Sequence, residues 1–227
     1  MSIHLSRMFA RHSDILGREG LSRVIRHGIA RAAANGITAE SAVCKYTELM
    51  FLLGSGFDAD PQLPWAGDVA GSRLFSDEFQ KIDTLSRRAM RYFDATGGPQ
   101  DGYTQAALCR VREPLGDQSS SDSSDAENDL LSVLQRVYPE KFAVLGHDLI
   151  HLLIDVGAFA AYSYGLTSDR GVAVYVQLMF VLGSSFDTDP LFHWASTVLS
   201  ERSSSSEPET VRRLVLEALA FGERWAS

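Results

Sequence analysis

His147, His151 and Asp155 stand four residues apart, so one helical face would carry two imidazoles and a carboxylate in a column, as in metal-binding helical bundles. The residues 129 positions earlier are Arg18, Ser22 and Arg26, a set that reads as the polar face of an amphipathic helix. The amphipathic reading is preferred, and no metal is assigned. The repeated Asp-x-Asp at Asp58 and Asp60, and again at Asp187 and Asp189, pairs carboxylates as a divalent cation and a nucleotide phosphate would require. Each second aspartate precedes a proline, Pro61 or Pro190, and an N-cap followed by proline at the first helical position accounts for it without a ligand. Asp58 and Asp187 are expected to bond backbone amides of their own turn. Gly54-Ser55-Gly56 follows a helix instead of opening one, the wrong context for a phosphate cradle. There is no Gly-x-Ser-x-Gly elbow, and neither Cys44 nor Cys109 has a histidine at a ligating or catalytic spacing. No catalytic residue and no cofactor are expected.

The elements that carry these residues come twice. VCKYTELMFLLGSGFDADPQLPWA at 43–66 returns as VAVYVQLMFVLGSSFDTDPLFHWA at 172–195, an ungapped offset of 129. The match extends upstream through Leu16-Gly17 and Leu145-Gly146, Gly28 and Gly157, and Gly36 and Gly165, with about a third of some 60 positions identical. A unit of this length occurring only twice predicts two homologous helical lobes from an internal duplication, packed like helical bundles, and not a solenoid. The lobes are placed at 1–115 and 130–227, joined by an acidic, Ser-rich stretch at 116–129 with nothing to bury, which reads as a flexible linker.

Apolar residues recur at helical spacing in each lobe, and no segment alternates as a strand would, so the fold class is all-α. Gly36 and Gly165 sit where a C-terminal glycine cap belongs, with Thr38 and Thr167 as N-caps of helices over 39–53 and 168–182. A short helix is expected after each Asp-Pro, and an amphipathic one over 75–94, opened by Ser76, with a counterpart at 207–225. Phe57, Phe186, Trp65 and Trp194 in the repeated motif are read as structural, with both tryptophans buried.

The composition is 45% hydrophobic and 22% charged, which excludes a disordered chain, and no uninterrupted apolar run reaches the roughly 18 residues a bilayer requires. A net charge of -8 argues against nucleic-acid binding and for a basic protein partner. Charge is also divided along the chain: residues 1–31 hold six arginines against Asp14 and Glu19, while 113–207 hold fourteen acidic residues against Arg136, Lys141, Arg170 and Arg202. The Arg-rich opening resembles a transit peptide, yet Arg7, Leu16, Gly17, Ile25 and Gly28 recur 129 positions later, so it is expected to belong to the fold. Two cysteines and no secretory core point to the reducing cytoplasm. The halves diverge along one helical stripe, where Glu19, Arg23, His27 and Ala30 become Asp148, Leu152, Val156 and Phe159. This gain of apolar area is expected first to pack against the other lobe, and otherwise to form the core of an external interface.

The run Gly-Ile-Thr-x-Glu, followed by Tyr-x-x-Leu-Met-Phe-x-x-Gly-x-x-Phe-Asp-x-Asp-Pro-x-x-x-Trp-Ala with Gly28 upstream, resembles uncharacterised bacterial proteins encoded beside type VI secretion effectors and tip proteins. The resemblance covers both repeats, about half the chain, and His193 departs from it where the first repeat has Pro64. It implies a small protein serving an effector: an immunity protein that neutralises a basic toxin, or an adaptor that loads an effector onto the secretion spike. A third reading, of a different class, is an effector or metal-dependent hydrolase acting through Asp58 with Asp60, or His147 with His151.

Overall fold

The computed structural model describes residues 1–75, 77–111, 123–201 and 206–226, with backbone alone at 100, 123–129 and 226. Among the described residues every regular element is helical, and the all-α expectation holds. The helices are α1 (Ser2–Met8), α2 (Ala10–Ala34), α3 (Glu40–Leu53), α4 (Pro64–Ala70), α5 (Glu78–Thr96), α6 (Gly102–Arg110), α7 (Ser123–Val137), α8 (Pro139–Ser163), α9 (Asp169–Leu182), α10 (His193–Ser200) and α11 (Glu207–Ala226). Adding 129 to the bounds of α2 and α3 gives those of α8 and α9, and the starts of α4 and α5 map likewise onto α10 and α11.

The helix pair α2 and α3 closes through Gly36, at φ 70, whose N–H bonds Ala33 O while Ile37 N–H reaches back to Ala32 O. Gly165 repeats this with Tyr162 and Ala161, as the sequence leads one to expect of a left-handed glycine cap. The expected N-caps are displaced. Thr38 and Thr167 do not cap: Ser168 does in the second half, its hydroxyl accepting from Gly171 N–H, and Ala39 occupies that place in the first. The free N–H groups of Thr38 and Ala39 go instead to the Glu78 carboxylate, and those of Thr167 and Ser168 to Glu207. Each glutamate lies in the first turn of its own helix, so one carboxylate serves two positive helix ends. The cap of α5 is Asp77, which accepts from Phe79 N–H; Ser76 lies outside the described residues.

Both long helices break at a glycine, Gly17 (φ 63, ψ 179) and Gly146 (φ 73, ψ 168), in backbone territory that side chains rarely enter. Beyond the breaks, α2 crosses α3 at Gly28 and α8 crosses α9 at Gly157. A Cβ there would fall 2.7 Å from Thr47 Oγ1 or 2.8 Å from Val176 Cγ2, so only glycine allows the helices this close.

Of the expected linker, 116–122 lie outside the described residues, while 123–129 belong to α7. The helix runs that far upstream because Leu130, Val133, Leu134 and Val137 form an apolar face buried against its neighbours. Both halves feed one continuous core, in which α5 packs across α8 and α11 across α2, around α3 and the almost wholly buried α9.

Candidate binding face and the clasp between the halves

The Asp-Pro turns join the two halves. Asp60 Oδ1 accepts Gln62 N–H at 2.8 Å, the expected local cap, but Asp60 Oδ2 accepts Ser184 N–H at 2.9 Å from the other half. Asp189 mirrors this, with Leu191 N–H at 2.8 Å on Oδ1 and Ser55 N–H at 2.7 Å on Oδ2. Gln62 adds a third crossing, its side-chain amide donating to Met179 O and Ser184 Oγ. All three residues are buried, and burial pushes the Asp189 carboxyl up, with its N–H donors opposing. No helix opens at Pro61, where a turn precedes α4 at Pro64; Pro190 starts a short 3-10 turn over Pro190–Phe192 that runs into α10.

Asp58 and Asp187 do not bond amides of their own turn. Asp58 accepts from the Arg31 guanidinium and the Asn35 amide, and Asp187 from the hydroxyls of Tyr164 and Tyr175 at 2.8 and 2.9 Å. Burial and then Asp187 push the Tyr164 hydroxyl up to about 12. Asn35 and Tyr164 are 129 positions apart and both reach the aspartate, whereas the other partner is Arg31 from α2 in the first half and Tyr175 from α9 in the second. Phe57 and Phe186 are buried beneath these contacts, each 5.0 Å from a core tyrosine, Tyr46 or Tyr175. Trp65 and Trp194 are half-buried, not buried as their motif position led us to expect: the buried face of each short helix is carried by Ala66, Val69 and Ala70, or by Ala195, Val198 and Leu199, and the tryptophan packs at its edge.

The divergent stripe on α8 faces solvent. Phe159 is 78% exposed, and Leu152, Val156 and Tyr162 are exposed beside it, with Asp148 and Asp155 along the same helix. This corrects the first expectation: the opposite face of α8, with Ile150, Leu153 and Gly157, packs inward, which leaves the stripe outside. By length and composition α8 is also the one described helix that could cross a bilayer, although its apolar residues divide between this outer stripe and the core. His147 is exposed and stands edge-on to Phe142 at 5.3 Å, His151 is half-buried and Asp155 is exposed. These three are not gathered around a point; among the described residues the gathered group is His4, Cys44 and Glu48.

Lys141 is a feature the sequence reading missed. It lies buried at a cavity of about 190 Å³ between the halves, shared with Asp60, Gln62 and His12 and walled by aromatic rings. Its ammonium donates to Phe180 O at 2.5 Å and sits 5.5 Å from the Phe180 ring, neutralising the carbonyl end of α9. Burial pushes it down to about 8, with Asp60 opposing. His12, its counterpart 129 positions earlier, is pushed down to about 4 by burial and packs edge-on against Phe51 and Trp225. The available signal was composition: the chain has only three lysines, Lys45, Lys81 and Lys141. Lys81 is buried as well, donating to Asn35 O and Ala70 O.

The chain matches no family model, no curated protein and no solved structure.

Proposed function

We propose that this chain is a non-enzymatic binding protein that seats a basic partner on the outer face of α8, and that the partner is a type VI secretion effector which it neutralises as an immunity protein. The observation that carries the binding reading is the exposed Leu152, Val156, Phe159 and Tyr162 stripe, flanked by Asp148 and Asp155 in the acidic half of the chain. An apolar centre with an acidic rim suits a partner with an apolar patch ringed by Arg or Lys, where burial supplies affinity and charge supplies rate and selection. The corresponding stripe on α2 carries Arg23, His27 and Ala30, so the two halves would divide the labour. The effector assignment rests on the resemblance of the repeated motif to proteins encoded beside such effectors.

The test is capture of partners by the tagged chain from its native lysate, followed by co-expression with the effector recovered. Rescue of growth is expected, together with a complex that survives gel filtration, and Phe159→Asp with Leu152→Asp should abolish both while leaving the melting temperature unchanged. Rescue that survives both substitutions would reject the α8 face. A complex without rescue would favour the adaptor reading, and toxicity of this chain expressed alone would favour an effector.

A further inference from the structure

We propose that His4, Cys44 and Glu48 form a site for one divalent transition-metal ion of the zinc type, bound through an imidazole nitrogen, a thiolate and a carboxylate oxygen, with a fourth position open to water. His4 Nε2 lies 2.8 Å from Glu48 Oε1, Cys44 Sγ lies 3.8 Å from the same oxygen, and all three ligand atoms fall within 4.8 Å of one another. A tetrahedral ion with bonds of about 2.0–2.3 Å needs its donors roughly 3.3–3.7 Å apart, so small side-chain movements would seat it. Cys44 and Glu48 are one turn apart on α3, which fixes their relative positions, and His4 arrives from α1. One soft sulfur, one imidazole and one carboxylate favour zinc or cobalt over magnesium or calcium, which prefer all-oxygen shells.

The second half supplies an internal comparison. The residues 129 positions on are Val133, Ala173 and Gln177, all buried and none a competent zinc ligand, and the Gln177 side-chain amide bonds back to Ala173 O. Packing of this helix pair therefore does not demand the three ligands, and their coincidence in the first half calls for another reason. Access is open, since His4 is half exposed, while Cys44 and Glu48 are partly shielded. Binding replaces the S–H bond of Cys44 with a metal–sulfur bond and releases that proton to solvent.

The inference is independent of the α8 face and is tested on the full chain, reduced and stripped with chelator, by titration with Co²⁺. A near-ultraviolet thiolate-to-cobalt charge-transfer band saturating at one equivalent and displaced by Zn²⁺ is expected. It should vanish in Cys44→Ala, which copies the Ala173 that the fold already accepts, and persist in Cys109→Ser. His4→Ala and Glu48→Gln should weaken binding by about tenfold or more. No band in the parent chain, a band that survives Cys44→Ala, or a band lost in Cys109→Ser would each overturn the site.

Discussion

The Asp60 carboxylate accepts the backbone N–H of Ser184 at 2.9 Å across 124 residues of chain, and Asp189 returns the contact to Ser55 at 2.7 Å. The second oxygen of each aspartate closes its own turn, so each side chain fixes a local conformation and the register of the halves together. Removing Asp60 strands the buried Gln62 N–H and the partly buried Ser184 N–H at once, and a charge-assisted hydrogen bond of this kind is worth about 1.5–3 kcal/mol. Asp60→Ala should therefore lower unfolding free energy by about 2–4 kcal/mol, and Asp60→Asn by less because one acceptor remains. Urea denaturation measures both; a loss below about 1 kcal/mol for the alanine variant would mean that the core alone sets the register.

Acid should act first through His12. Its folded value is about 4 against an ordinary 6.5, so between those limits the unfolded chain binds a proton that the folded chain refuses. Stability is then full above pH 6.5 and falls as pH drops toward 4. Glu78 and Glu207 act lower: the Thr38 and Ala39 N–H groups depress Glu78, and for Glu207 the Ser168 and Thr167 donors outweigh the upward push of burial. Their contribution is present above 4.5 and is lost below it. Urea midpoints at pH 7, 5.5 and 4.5 should show the decline in the parent chain and a much flatter line in His12→Met across the first two points.

Local signals in the sequence were legible, and long-range ones were not. The helix starts at Glu40 and Asp169 and the caps at Gly36 and Gly165 follow from periodicity and glycine chemistry within a few residues. Gly17 and Gly146 lie inside stretches whose apolar spacing continues through them, so nothing local announces that the helices break there. For Asp60 the sequence yields the oxygen that caps its own turn and hides the one that crosses to Ser184. The stripe of Leu152, Val156 and Phe159 was visible as a divergence between halves, but which side of α8 meets the core depends on where α5 lies, and that is a tertiary fact. His4 and Cys44 share no spacing and meet only because α1 folds back beside α3.

Alkali should act through Lys141 in the opposite sense. Its folded value is about 8 against an ordinary 10.5, so between them the unfolded chain holds the extra proton, and stability rises with pH across that window. The raised tyrosines Tyr164 and Tyr175 oppose this only above about pH 10, where unfolded phenols ionise. Comparing the parent with Lys141→Met at pH 7.5, 8.5 and 9.5 isolates the lysine: the parent should gain on the variant as pH rises. Parallel curves would place the ammonium in contact with water.

Gly157 sets how closely α8 approaches α9, and the size of its effect can be bounded. A Cβ there would lie 2.8 Å from Val176 Cγ2, a stiff branched group, and 3.1 Å from Met179 Sδ, which can move aside. Overpacking costs about 1–3 kcal/mol, whereas replacing a helical glycine with alanine returns about 1 kcal/mol of propensity. Gly157→Ala should thus destabilise by about 0–2 kcal/mol net. The decisive measurement is the double-mutant cycle with Val176→Ala. That partner alone opens a void, but it removes the clash, so the double variant should be more stable than the sum of the two losses by at least about 0.5 kcal/mol. Strict additivity would show that α8 and α9 separate freely to admit the methyl group, and that the close crossing is not imposed by their packing.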